Sequence, residues 1–112
     1  MPDVKKLADI SMKIISYAGM AKSDYILALN AVKKGEFDDF EENIKYGDEN
    51  YKIAHNFHGD ILKKETETLE PQVSLLLMHA EDQLLNAETI RFLVMELVDL
   101  YRKKENETDG TI

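Results

Sequence analysis

The chain has 112 residues and a formal charge of −8 at pH 7, with 22 acidic against 14 basic residues. Hydrophobic residues make up 44% and charged residues 32%, a balance that is typical of a globular domain and too apolar for a disordered chain. The excess of acid argues against nucleic acid or an anionic membrane as a partner, because either would need a cationic face. Without cysteine, the chain has neither a disulfide framework nor a cysteine-based zinc site.

Length and hydropathy limit the number of domains and the possible contact with a membrane. A chain of this size is expected to form one domain, residues 1–112, with a core of useful volume. No apolar run approaches the ~18 residues of a membrane span. The N-terminal segment MPDVKKLADI lacks the apolar region of a signal peptide. We therefore expect a cytoplasmic protein that does not insert into a membrane.

The first two predicted elements are helices. The first runs from about Val4 to Lys34 and ends at Gly35, where a left-handed cap is expected. Asp38 followed by Glu41 resembles a capping box, which predicts a second helix from there to about Lys64. Apolar residues recur at steps of three and four in both segments: Leu7, Ile10, Ile14, Tyr17, Ala18, Ala21, Tyr25, Ala28 and Val32 in the first, and Phe40, Ile44, Tyr51, Ala54 and Ile61 in the second.

A third helix is predicted after a loop at residues 65–71, ETETLEP. Pro71 suits the first turn of that helix, which then runs to about Lys104, and residues 105–112 are expected to fray. Gly47 and Gly59 weaken the second helix but do not end it. Three long helices with short connections predict an all-α fold, an antiparallel three-helix bundle.

The third helix has more apolar surface than a small monomeric bundle needs. At about 100° per residue, one group of residues falls within roughly 60° of His79; this His79 stripe consists of Leu75, Asp82, Gln83, Asn86, Ile90, Leu93 and Leu97. A second group lies about 100° further round; this core stripe consists of Leu76, Ala80, Leu84, Ala87, Val94 and Val98. Met78, Leu85 and Phe92 form a partial third stripe. The surplus predicts that the helix also packs against another chain.

The polar members of the His79 stripe have a simple structural interpretation. A polar layer inside an oligomer interface commonly fixes the register of the helices, which would account for Gln83 and Asn86. Asp82 is harder to explain in this way. Carboxylates that meet on a symmetry axis repel each other unless they are protonated or bridged by a cation.

The three histidines each have more than one interpretation. His55 and His58 have a spacing that suits a shared metal ion, but the sequence offers no third ligand, which favours two surface or interface residues. His79 fits a packed core residue, a metal ligand or a chemical group. Histidine is the one side chain that is an uncharged nucleophile near neutral pH, and Asp82, one turn on, is placed to orient its ring.

Several segments together resemble one known family. The segment from Ser74 to Leu85, SLLLMHAEDQLL, resembles VSLLLVHAQDHL in the lactose/cellobiose-type enzyme IIA proteins of the bacterial sugar phosphotransferase system. The segment IISYAGMAKS, which begins at Ile14, resembles the family's IISYAGDARS, and KGEF at Lys34 resembles its KEGDF turn. An Ala-His pair at Ala54 and the C-terminal ELVDLY also match. The resemblance covers roughly residues 5–104.

This resemblance implies a specific function. Members of the family are cytoplasmic three-helix proteins that form homotrimers with their third helices central. They accept a phosphoryl group on the motif histidine from the phosphocarrier HPr and pass it to a cysteine of the cognate enzyme IIB. That enzyme phosphorylates a β-linked disaccharide of the cellobiose, lactose or chitobiose class during uptake. By position, His79 is the phosphorylated residue, and Asp82 meets its symmetry mates around Mg²⁺ or another divalent cation on the trimer axis.

Four residues depart from the family pattern. Glu81 and His58 stand where glutamine is usual, Gln83 stands where histidine is usual, and Met20 replaces the aspartate of AGDARS. Gln83 removes a cation beside the expected phosphate, and Glu81 adds a negative charge on the opposite side of the helix. These changes leave an alternative: a non-catalytic trimeric interaction or regulatory module that has diverged from the family.

Overall fold

A computed structural model describes residues 3–108 of the chain, and these residues form three α-helices joined by two short connections. Helix α1 spans Val4–Lys33, α2 spans Phe37–Thr68 and α3 spans Leu75–Thr108. The described residues contain no strand. The molecule is a rod with principal extents of 65 × 20 × 20 Å. The prediction of an all-α three-helix fold is confirmed.

The core lies along α1, which packs against both other helices, whereas α2 and α3 meet chiefly through side chains. Apolar residues at three- and four-residue steps place one face of each helix inward. The predicted inward positions of α1 and α2 are confirmed: the fully buried ones are Leu7, Ile14, Ala18, Ala21, Tyr25, Ala28, Val32, Phe40, Ala54 and Ile61. The partly buried ones are Ile10, Tyr17, Ile44 and Tyr51.

The connection between α1 and α2 is tighter than a capping box at Asp38 would allow, so that prediction is wrong. Gly35 adopts a φ of 76°, and its N–H donates to the carbonyl of Val32 at 3.0 Å. The next N–H, of Glu36, donates to the carbonyl of Ala31 at 2.9 Å, which completes a Schellman cap. Glu36 already lies at the N-cap of α2. Asp38 is therefore inside the first turn, where its charge favours the helix dipole.

The connection between α2 and α3 lies later than predicted. Helix α2 continues into the expected loop as far as Thr68. In its last turns the hydroxyls of Thr66 and Thr68 donate to carbonyls four residues earlier, at 2.9 and 2.8 Å. Leu69 then ends the helix in a left-handed conformation with a φ of 56°. Pro71 lies in the connection and not in the first turn of α3. The start of α3 is set instead by Ser74, whose hydroxyl accepts a hydrogen bond from the N–H of Leu77 at 3.0 Å.

The connection is pinned to α2 by Gln72, whose side chain is buried. Its backbone N–H donates to a carboxylate oxygen of Glu65 at 2.9 Å, and its amide donates to the carbonyl of Glu70 at 2.9 Å. These bonds give α3 a defined starting point at the end of the bundle that carries His79.

The C-terminal end of α3 also lies beyond the predicted position at Lys104, since the helix continues to Thr108. Of the segment expected to fray, residues 105–108 are helical, and residues 109–112 lie outside the described residues. Over the described part of the chain, none of the three helices contains a stretch that is long and apolar enough to cross a membrane.

Candidate functional site on the third helix

The core stripe of α3 faces the other two helices, as predicted. Ala80 and Ala87 are completely buried, and Leu84, Val94 and Val98 are at most 6% exposed. Leu76 is half-buried, and Leu77, outside the stripe, is also buried. Small residues at two of these positions allow α3 to approach α1 closely, so the packing of the bundle is satisfied by this face.

The His79 stripe points away from the bundle. Leu75, Leu93 and Leu97 are 82%, 51% and 48% exposed, and His79, Asp82 and Asn86 are exposed with them. Gln83 and Ile90, at the edge of the stripe, are half-buried. The partial third stripe is exposed as well, with Met78, Leu85 and Phe92 at 54%, 61% and 63%. The sequence pattern thus identified most of the apolar residues of α3 that a single chain leaves uncovered; Ile90 is the exception, because it packs partly against the core.

His79 is exposed, so the interpretation as a packed core histidine is wrong for the single chain. It lies in the second turn of α3, after the turn that Ser74 caps. Within residues 3–108 the ring of His79 makes no hydrogen bond. Asp82 therefore does not orient the ring, contrary to the prediction. A solvent-facing imidazole without a fixed partner has both ring nitrogens accessible for reaction.

The charges near His79 on its own helix are negative or absent. Residues 75–90 contain no lysine or arginine. The first cation along α3 is Arg91, and its guanidinium is engaged with Asp48 of α2 through bonds of 2.7 and 3.1 Å. Within the described chain, α3 therefore offers no free cation near His79 that would hold a phosphate strongly.

Asp82 shares the exposed face with His79, one turn further along. A carboxylate suits Mg²⁺, which prefers oxygen ligands, but a single carboxylate does not make a site. Within the described part of the chain, no three histidine, aspartate or glutamate side chains are grouped so that they could hold a metal ion. The residues of one chain supply one ligand, and a cation there would need carboxylates from further copies.

The two histidines of α2 occupy different environments. His55 is exposed, and its ring lies 6.0 Å from that of Tyr51. His58 is half-buried, and its Nε2 donates to a carboxylate oxygen of Glu81 on α3 at 2.7 Å. Sequence reasoning had treated His58 and Glu81 as separate departures from the family pattern, and the structure brings them together.

A polar network that the sequence analysis missed joins all three helices. Asp48 of α2 accepts a hydrogen bond from the hydroxyl of Tyr25 at 2.8 Å in addition to the two from Arg91. Burial, and next the carboxylate of Asp48, raises the pKa of the Tyr25 hydroxyl. Burial raises the pKa of Asp48, but the hydrogen bonds from Arg91 and Tyr25 and the charge of Arg91 outweigh it, so the pKa lies below its usual value. The available signal was a tyrosine on a core face, since a buried hydroxyl requires a partner.

Comparison with known proteins identifies the family. The sequence profile described as "PTS system, Lactose/Cellobiose specific IIA subunit" matches residues 9–102. The oligo-beta-mannoside-specific EIIA component of Bacillus subtilis is 36% identical over 95 residues, which cover 85% of this chain and 86% of that protein.

Two solved structures are similar in fold and sequence. A cellobiose-specific enzyme IIA from Bacillus anthracis has a TM-score of 0.82 at 33% identity, covering 87% of this chain and 89% of that one. The IIA(chitobiose) chain in a complex with HPr from Escherichia coli has a TM-score of 0.78 at 26% identity, covering 88% and 96%.

This chain is therefore a helical phosphoryl-transfer protein, a component of a sugar phosphotransferase system. It belongs to the lactose/cellobiose-specific IIA family.

Proposed function

We propose that this protein is a cytoplasmic phosphoryl carrier that accepts a phosphoryl group from phospho-HPr on His79 and passes it to a cognate enzyme IIB. The sugar taken up would be a β-linked disaccharide of the cellobiose, lactose or chitobiose class. The observation that carries the proposal is the exposure of His79 on a face of α3 that the bundle leaves uncovered, within a chain of this family. The similar IIA(chitobiose) chain was solved in a complex with HPr, which supports HPr as the donor.

The chemistry requires little beyond placement. A neutral ring nitrogen of His79 attacks the phosphorus of the donor phosphohistidine in line, and the new N–P bond forms as the donor's N–P bond breaks. The donor ring, protonated on its other nitrogen, leaves as neutral imidazole, and the phosphorylated ring of His79 keeps the proton on its own other nitrogen. In the second step a cysteine thiolate of enzyme IIB attacks the same phosphorus, and the His79 N–P bond breaks. The lack of cations on α3 near His79 keeps the phosphohistidine from becoming too stable to pass on.

Assembly as a homotrimer with the α3 helices central is the second part of the proposal. An apolar line runs along the outside of the described chain and consists of Leu75, Leu93 and Leu97. Because these large side chains are exposed in the single chain, they support an interface in which further copies would cover them. On the helical wheel Leu75 and Leu93 lie about 40° from His79 and Leu97 lies at the same angle as His79. His79 would therefore lie on the face that carries the interface, in its polar N-terminal half, where a donor protein would have to reach it.

A divalent cation on the trimer axis completes the proposal. Three copies of Asp82 would supply the three carboxylates that one chain lacks, and a hard cation such as Mg²⁺ would relieve their mutual repulsion. Its role would be structural, since Asp82 does not contact the ring of His79.

The test is phosphoryl uptake from phosphoenolpyruvate, enzyme I and HPr. We expect wild type to take up about one acid-labile phosphate per chain and His79→Gln to take up none while keeping its helical content. His55→Gln and His58→Gln are the matched controls, and both should reach the wild-type extent. Label that persists in His79→Gln would contradict the assignment. A wild type that takes no label would favour the non-catalytic trimeric module.

A further inference from the structure

Helices α2 and α3 are joined by a small set of side-chain pairs that run antiparallel along the two helices. They are Asp48 with Arg91, Tyr51 with Glu88, and His58 with Glu81. The pair of His58 and Glu81 lies closest to His79 along α3. At the end of the bundle that carries His79, this pair is the polar contact seen between the two helices within the described residues.

The bond between His58 and Glu81 is short and partly shielded from water. The two atoms are 2.7 Å apart, and the side chains are 19% and 40% exposed. A hydrogen bond to a carboxylate is roughly twice as strong as one between neutral groups. Glu81 follows His79 by two residues, so the two side chains leave α3 on opposite sides. The contact therefore fixes this turn of α3 to α2 on the side opposite to His79.

Rotation of α3 about its own axis is the motion that this contact opposes. A helix with its side chains has a radius of about 5–6 Å, so a rotation of about 20° moves a side-chain end by about 2 Å. A misplacement of about 1 Å can slow a reaction that depends on positioning about 100-fold. On the core side this rotation is limited by the buried side chains of Leu77 and Leu84, and little by Ala80, whose side chain is a single methyl group. The bond between His58 and Glu81 adds a polar contact with a defined geometry to this apolar packing.

We propose that His58 is a positioning residue for phosphoryl transfer and that it acts on His79 through Glu81. This inference rests on the proposed function of His79. His58 does not touch the reacting atoms. It sets the rotation of the first turns of α3 and thereby the direction in which the His79 ring points at a docked donor. Because the donor docks on the opposite side of α3, loss of the contact should slow transfer without weakening docking.

The experiment compares His58→Gln, Glu81→Gln and the double variant with wild type, and His55→Gln is the matched control on the same helix. We expect each single variant to take up phosphate from phospho-HPr about 3- to 10-fold more slowly, with an unchanged KM for phospho-HPr and an unchanged final extent. This range corresponds to the loss of one hydrogen bond. The double variant should recover, because two glutamine side chains can bond to each other. His55→Gln should match wild type.

Amide hydrogen exchange of residues 76–84 provides a readout independent of phosphate. The single variants should exchange faster there at a temperature at which all the variants remain folded, and the double variant should not. If wild type takes up phosphate and the single variants take it up equally fast, the positioning role of His58 is overturned and the proposed function of His79 is not. Slowing that persists in the double variant would overturn the coupling through Glu81. A wild type that takes no label at all would instead overturn the proposed function.

Discussion

The core stripe and the His79 stripe are adjacent faces of one helix, about 100° apart, and they use their apolar residues differently. On the core stripe, small residues such as Ala80 and Ala87 are completely buried. On the His79 stripe, large residues such as Leu75 and Leu93 are 82% and 51% exposed. The face that folds the single chain thus needs little apolar volume, and the larger side chains lie where only another molecule can cover them. The residues that fold the single chain and those available for the proposed assembly therefore lie on separate faces.

The largest expected effect comes from placing the same charge on each face in turn. Val94 and Leu93 are neighbours, but Val94 is 3% exposed and Leu93 is 51% exposed. Val94→Asp buries a carboxylate without a partner, which costs roughly 3–5 kcal/mol, a large share of the 5–15 kcal/mol that holds a typical domain together. We expect it to unfold the chain, as seen by circular dichroism.

Leu93→Asp is the matched variant on the other face. It should keep its helical content and sediment as a monomer of 12.9 kDa, whereas wild type should sediment at about three times that mass. A Leu93→Asp variant that unfolds as completely as Val94→Asp would show that the core stripe alone does not fold the chain. A wild type that remains monomeric at micromolar concentration would contradict the proposed trimer.

The same inward and outward contrast exists on α2, in its two internal glycines. A Cβ at Gly47 would lie 2.5 Å from Cε1 of the buried ring of Tyr25, whereas a Cβ at Gly59 would meet nothing within 4 Å. Gly47→Ala should lower the free energy of unfolding by roughly 1–2 kcal/mol, because overpacking outweighs the better helix propensity. Gly59→Ala should raise it by about 0.5–1 kcal/mol. Urea unfolding measures both, and equal effects at the two positions would contradict the packing described here.

The sequence predicted the faces of the helices well because burial follows the 3.6-residue period. It predicted the bounds of α1 and its left-handed cap at Gly35 correctly. It failed at the ends of α2 and α3, where the outcome depends on local bonds such as that of Ser74. It also missed the pairing of Asp48 with Arg91 and of His58 with Glu81, since these contacts depend on how α2 and α3 align along each other. For the site, the pattern identified the exposed face of α3, but only the resemblance to a known family singled out His79 as a phosphoryl acceptor.

A smaller effect is expected from the polar network of Tyr25, Asp48 and Arg91, which joins the three helices. Because the pKa of Asp48 is lowered in the folded chain, its bonds to Tyr25 and Arg91 stabilise the fold above the unfolded pKa, about 3.9. That stabilisation is lost as the pH falls through the lower, folded pKa. Asp48→Asn should therefore be less stable than wild type by a constant amount between about pH 5 and 8, and the difference should shrink below about pH 4.

Urea unfolding across this pH range measures the difference, and Leu93→Asp is the suitable background because assembly then does not contribute. Asp99→Asn, at an exposed position on α3, is the control and should follow the parent protein at every pH. A difference between Asp48→Asn and its parent that does not change below pH 4 would contradict the assigned role of the carboxylate.

The smallest expected effect concerns Asp82, the one acid on the His79 stripe. In the proposed trimer three copies of its carboxylate approach one another, and like charges that are poorly solvated must take up protons or share a cation. A ligand present at 100 times its Kd contributes about 2.7 kcal/mol, which three chains would share here. Wild type should therefore melt a few degrees lower in EDTA than in Mg²⁺.

Asp82→Asn should lose this dependence and associate at least as well, because the repulsion disappears together with the ligand. Asp99→Asn should keep the dependence. A wild type whose melting temperature is the same in EDTA and in Mg²⁺ would rule out the axial cation and leave Asp82 as a protonated polar layer of the interface.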